Sequence, residues 1–184
     1  MPDHHHLVER LGKPSLVTIS HAIERAALAS AEDGPLVVFG MFQRMPYFER
    51  ERAVYTRIAG QAAATVVGVV EEEPTGSPAG CQVVALTAGE PLAREWTVAV
   101  LTPRFGATLV AHDRQEVDPE AATLESGRLF DGRWSFRRDD ALHEVIRLRA
   151  VLADRLPAQA AAGVDRVLAR VRDLPATPGE ARVE

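Results

Sequence analysis

Two hydrophobic periods alternate along this chain. Apolar positions at Leu16, Ile19, Ile23, Ala26, Ala27 and Ser30 share one face of a 3.6-residue period, which predicts a helix. Ser15, just after Pro14, is placed to accept from a free amide of its first turn, and Gly34 with Pro35 ends it. Residues 36–42 (LVVFGMF) form a short β-branched run without clean alternation, as expected of a strand covered on both faces. A second helix is predicted over about 48–62, with Phe48, Tyr55, Ile58, Ala59 and Ala62 inward. The charges at Glu49, Arg50, Glu51 and Arg52 read as a solvated entry to it.

Residues 65–70 (TVVGVV) and 81–86 (CQVVAL) read as two more buried strands, separated by a Pro, Gly and Ser-rich loop over 71–80. Residues 96–101 and 107–112 flank a turn containing Pro103 and Gly106. They predict a hairpin with Trp96, Val98 and Val100 on one face and Thr97, Ala99 and Leu101 on the other. The stretch 113–132 is polar, with Trp134 and Phe136 as its nearest apolar anchors. Helical spacing returns from Asp139 (Leu142, Val145, Ile146, Arg149, Leu152), with Glu144 able to pair only weakly with Arg147 or Arg149 at the surface. After Pro157 a shorter helix presents Val164, Val167, Leu168 and Val171.

This order predicts an α+β, mixed α/β domain: a central sheet of about four to five strands flanked by helices, with a helical C-terminal extension. The 184 residues divide into a flexible N-terminus over 1–14, a domain over 15–155, a C-terminal helix over 156–174 and a disordered tail over 175–184. No run approaches the length of a membrane span and no signal-peptide pattern opens the chain. One cysteine, Cys81, fits a reducing compartment, and a cytoplasmic location is expected. A net charge of −5 argues against nucleic acid as partner, since phosphate affinity needs clustered positive charge. The basic residues are 20 Arg and one Lys, Lys13, and Asn is absent. That is the bias of a GC-rich coding sequence, so only clustered arginines carry meaning.

Familiar catalytic signatures are missing: no Walker loop, no GxGxxG after a strand, no GxSxG. No metal site is expected either. His21, His112 and His143 lack paired spacing, and the adjacent His4, His5 and His6 on a loose terminus cannot close a tetrahedral site. Cys81 opens an apolar strand and reads as a small buried hydrophobe. His21 and Glu24, three apart on the first helix, share a face; a surface hydrogen bond or partner contact is the plain reading, an acid/base pair the sharper one. Phe42, Gln43 and Arg44 stand where a buried strand emerges, where open α/β sheets form ligand crevices. Alternatively Phe42 is core and Gln43 caps a loop carbonyl. Glu95 and Trp96 enter the hairpin, with Trp96 either a core anchor or a stacking surface.

SLVTISHAIERAAL (15–28), LVVFGMFQR (36–44), ERAVYTRIA (51–59) and PLAREWTVAVLTPRFGATLVAHD (91–113) together resemble the DICT domain, a sensory domain of diguanylate cyclases and two-component systems. The resemblance rests on the Ser-His-x-x-Glu helix, Phe-Gln after the first strand, Tyr55-Thr56-Arg57 in place of the family's Arg/Tyr pairing, and Glu-Trp before the hairpin. It covers about 15–155, more loosely toward the end. It implies an α+β fold and a sensory role coupled to signalling outputs, with light response, cyclic-dinucleotide or two-component signalling among the contexts; it names no cofactor. The expected function is therefore a non-enzymatic cytoplasmic module with His21, Glu24, Phe42, Gln43, Arg44, Tyr55, Glu95 and Trp96 as binding or signalling residues. It would bind a small molecule and act on a signalling partner in trans, or pair with itself as a homodimer. The rivals are a small enzyme with a His/Glu acid–base pair and a structural homodimerisation module.

Overall fold

A computed structural model of the chain describes residues 8–70 and 80–174. The histidine triplet, most of the 71–80 loop and the tail over 175–184 lie outside the described residues. Strands β1 (Glu9–Gly12), β2 (Val37–Arg44), β3 (Ala64–Val70), β4 (Gln82–Leu86), β5 (Glu95–Leu101), β6 (Gly106–Val117) and β7 (Arg128–Ser135) form one mixed sheet in the order β1-β7-β6-β5-β2-β3-β4. β2, β3 and β4 run parallel, and every other neighbouring pair is antiparallel. One face carries α1 (Lys13–Ser30), α2 (Met45–Glu49) and α3 (Arg52–Ala59); the other carries α4 (Arg138–Val151) and α5 (Ala158–Arg172). The α+β class holds, with seven strands where four to five were expected.

The additional strands are β1 and β7, which pair with each other at one edge, Leu11 opposite Phe130. Neither has a strong pattern of its own. β7 carries one large buried side chain, Phe130, while the expected anchors Trp134 and Phe136 are 38% and 51% exposed. β1 is four residues long and becomes a strand only because β7 supplies its hydrogen-bonding partner. Within the stretch 1–14, expected to be flexible, residues 9–12 form β1 and Lys13 and Pro14 open α1. The chain passes directly into α1 at Lys13, with Gly12 as N-cap and no side-chain cap from Ser15.

Both faces of β2 are buried. Val37, Phe39 and Met41 join the core under α4 and α5, and Val38 and Phe42 join the core under α1 to α3. A bulge ends this regularity: Met41 pairs with Gly68 and Gln43 with Val69, leaving Phe42 unmatched, with Gln43 in the left-handed region at φ 66°. Such a bulge bends the strand and aims side chains anew.

The helix expected over 48–62 is broken at Arg50 and Glu51, so that Glu51 becomes the N-cap of α3. The C-terminal helix is integral to the core: Val164, Val167, Leu168 and Val171 are buried against the β2–β3 side of the sheet. α5 packs so closely there that a Cβ on Gly163 would lie 2.3 Å from the Ala63 carbonyl oxygen. Gly163→Ala should therefore destabilise the protein by about 1–3 kcal/mol through overpacking, despite a helix-propensity gain of about 1 kcal/mol. Urea unfolding checks this, and a stabilised variant would refute it.

Candidate functional site

The expected site residues separate into three places. Alternation along β5 divides the Glu-Trp pair: Trp96 lies on the α1 face and Glu95 on the α4 face, where it is buried. There the Arg147 guanidinium donates to both Glu95 oxygens, at 3.1 and 2.6 Å, and through Nε to Glu144 Oε1 at 2.9 Å. Thr97 Oγ1 donates to Glu95 Oε2 at 3.0 Å. Glu144, expected at the surface, is 4% exposed. His21 lies on the opposite face of the sheet, so Glu95 is not the carboxylate of a His/Glu acid–base pair.

Gln43 and Arg44 lie beyond the bulge. The Gln43 side-chain oxygen accepts from Arg128 Nη2 at 2.8 Å; Arg128 also donates to Tyr47 Oη at 3.1 Å and pairs with Asp113. Gln43 is thus held in a polar network, and Arg44 is exposed beside it.

His21, Glu24, Phe42, Tyr55 and Trp96 remain, all on the α1 face. A cavity of about 250 Å³ is lined by Lys13, Val17 and His21 from α1, Phe42 from β2, Tyr47 from α2, Arg50 and Glu51 from the break before α3, and Trp96 from β5. Its walls are aromatic and its rim is charged. Phe42 is locked by Phe48 and Tyr55, at ring-centroid distances of 5.6 and 5.2 Å. Trp96 meets Phe130 edge-on at 6.0 Å, and its buried indole N–H makes no hydrogen bond. Gly40 allows this packing, since a Cβ there would lie 2.7 Å from both the Phe42 ring and the Tyr55 hydroxyl.

Beside the cavity, His21 Nε2 lies 3.1 Å from Glu51 Oε1, and Glu24 completes a group whose ligand atoms all lie within 4.8 Å of one another. Glu24 sits on the buried side of α1, 1% exposed, accepting from Ser20 Oγ at 3.2 Å. Burial first, and the nearby Glu51 second, push its carboxyl from the ordinary 4.5 up to about 7, against smaller opposing effects of His21, Ser20 and Tyr55. Tyr55 is fully buried, its hydroxyl set against the Glu24 carboxyl at an imperfect hydrogen-bond geometry. Its titration is driven well above the ordinary range by burial and then by Glu24 and Glu51. These three ligating groups are of a kind that holds a cation, a grouping that histidine spacing alone does not register.

Comparison with family models matches residues 4–114 to DICT, the sensory domain in diguanylate cyclases and two-component systems. The chain belongs to the DICT family. The DICT match begins before the expected residue 15 and ends within β6, so β7, α4 and α5 lie outside it although they complete the same sheet and core. Every residue lining the aromatic cavity falls inside the DICT match. Comparisons with curated proteins and with solved structures find no match.

Sequence reasoning missed Glu51, Lys13, Tyr47 and Arg147. Glu51 was hidden in a run of alternating charges that is otherwise solvated, as the Glu49–Arg52 pair shows. Lys13 did carry a signal: it is the one lysine of a chain with 20 arginines, and it stands at the cavity rim.

Two measurements test these electrostatics. A carboxyl whose native pKa exceeds its unfolded value is stabilising only while protonated, so the contribution of Glu24 to stability should fall as pH rises from about 4.5 through 7. A rise from 4.5 to about 7 corresponds to about 3 kcal/mol. In protein kept in chelator, Glu24→Gln should be the more stable form at about pH 8 and lose that advantage near pH 4.5. Urea unfolding at several pH values reads the gap, which should not stay constant; Arg25, Arg57, His21 and Glu51 line the same cleft and are unchanged in the comparison. On the other face, Arg147→Met leaves two buried carboxylates together and should cost toward the low end of ~3–5 kcal/mol, Arg147 being partly exposed. Adding Glu95→Gln and Glu144→Gln should recover part of that loss.

Proposed function

We propose that the cavity between Phe42 and Trp96 is the ligand site of this sensory signalling domain, which acts in trans on a partner protein rather than as an enzyme. The observation that carries the reading is an aromatic-walled cavity with a rim of Lys13, His21, Arg50 and Glu51. Its volume of about 250 Å³ is just under the roughly 300–1,000 Å³ of drug-sized sites. A compact one- or two-ring compound with a hydrogen-bond acceptor suits it; a dinucleotide or an extended chromophore does not without opening of the domain. A cyclic-dinucleotide or light-response connection would then lie with the partner rather than in this cavity.

The walls come from α1, β2, α2, the α2–α3 break and β5, so an occupant touches α1 and the sheet beneath it at once. Occupancy can bias how α1 sits over the sheet, by as much as the ligand's affinity differs between the two arrangements. The apolar stripe of α5 is buried in the core, which favours relay through exposed positions over a homodimer built on that stripe. Among the described residues no helix is long and apolar enough to cross a membrane, and the single cysteine suits a cytoplasmic setting. A small enzyme is the second reading, favoured by His21 beside a Glu24 carboxyl poised near neutrality.

Native mass spectrometry of the chain purified from its own source tests the ligand reading. A bound mass of a few rings' size is expected on the wild type and not on Val17→Trp, which fills the cavity from a half-buried position of α1. Ligand-free wild type, or equal retention by a folded Val17→Trp, would overturn it.

A further inference from the structure

We propose that His21, Glu24 and Glu51 bind one divalent transition-metal ion, with Zn²⁺ the best match, at the edge of the aromatic cavity. The donor set is one imidazole nitrogen and two carboxylates, carried on α1 and at the N-cap of α3. His21 and Glu24 stand three apart on α1 and so share a face; the break before α3 brings Glu51 to them. Zinc bonds of about 2.1 Å set tetrahedral ligand atoms about 3.4 Å apart. Here one pair lies at 3.1 Å and the widest within 4.8 Å, so closure asks for rotamer adjustment and no backbone movement.

Two further observations point to a cation. Among the described residues no lysine or arginine forms an ion pair with Glu24 or Glu51, although Glu24 is almost wholly buried. Adjacent carboxylates whose ion-pair neighbour is a histidine are costly to ionise together, and a bound metal ion lets both ionise. The Tyr55 hydroxyl, fully buried against Glu24, has among the described residues no partner at good hydrogen-bond geometry. Buried polar groups are nearly always paired. With Glu24 ionised on a metal, Tyr55 can donate to the carboxylate oxygen that the metal leaves free, as Ser20 does already, and metal-bound carboxylates are commonly held this way.

The ligand set selects the metal. Ca²⁺ takes six to eight oxygens and Mg²⁺ keeps an octahedral shell of waters, whereas imidazole with carboxylates suits Zn²⁺ and its neighbours. Three protein ligands leave a fourth position open, and since His21 and Glu51 also line the cavity, it faces where a small molecule with a donor atom could reach. The metal site stands whether or not the cavity takes an organic ligand.

The test is Co²⁺ and Zn²⁺ titration of the metal-free full chain in which His4, His5 and His6 are replaced by alanine, removing a competing chelator. One Co²⁺ per chain is expected, with the visible bands of a low-coordinate site, displaced by Zn²⁺ and indifferent to excess Mg²⁺ or Ca²⁺. His21→Ala and Glu51→Gln should abolish those bands, and Tyr55→Phe, which keeps the ring, should weaken binding about 10-fold or more. Circular dichroism establishes that each variant is folded; Glu51→Gln, half-buried at a helix N-cap, is the mildest. Absence of Co²⁺ bands, bands that survive in folded Glu51→Gln, or equal binding of Mg²⁺ or Ca²⁺ would each overturn the proposal.

Discussion

Strand β2 is enclosed on four sides: β3 and β5 pair with its edges, and helices cover both its faces. Its side chains must therefore fill two cores at once, which a run such as VVFGMF does by alternating. Glycine at position 40 admits the Phe42 ring and Tyr55 hydroxyl into the space its own side chain would occupy. The bulge that follows releases Phe42 from pairing and turns it into a cavity wall. Phe42 thus belongs both to the aromatic group it forms with Phe48 and Tyr55 in one core and to the wall of the candidate site, so binding chemistry and stability share that side chain.

The two faces of the sheet treat buried acid differently. Under α4, Glu95 and Glu144 share Arg147, so charge is buried with its partner and the cluster ties α4 to β5. Under α1, Glu24 and Glu51 meet with, among the described residues, a histidine but no lysine or arginine at ion-pair distance, and Glu24 responds by holding its proton to near neutrality. The first arrangement is closed and structural. The second is open to whatever supplies positive charge, and it lies next to the cavity.

Much of the fold was legible because burial leaves a periodic trace. Five of the seven strands, the faces of β5 and the inward stripes of α1 and α5 follow from apolar spacing, and the order of short motifs was enough to point to the DICT family. β1 and β7 left no such trace, since one large buried side chain in β7 and four residues in β1 form strands only through each other. The break at Arg50 and Glu51 was masked by a charge run that reads as a continuous first turn.

The sequence by itself determined the main apolar stripes, five of the strands and the family, because hydrophobic spacing and motif order act locally along the chain. The tertiary structure alone decided which polar residues meet. Strand alternation sent Glu95 and Trp96 to opposite faces, Arg128 drew Gln43 into its own network, and the packing of α1 against α3 joined Glu51 to His21 across 30 positions. Contacts of that kind depend on how two elements lie against one sheet, and no spacing within either element encodes it.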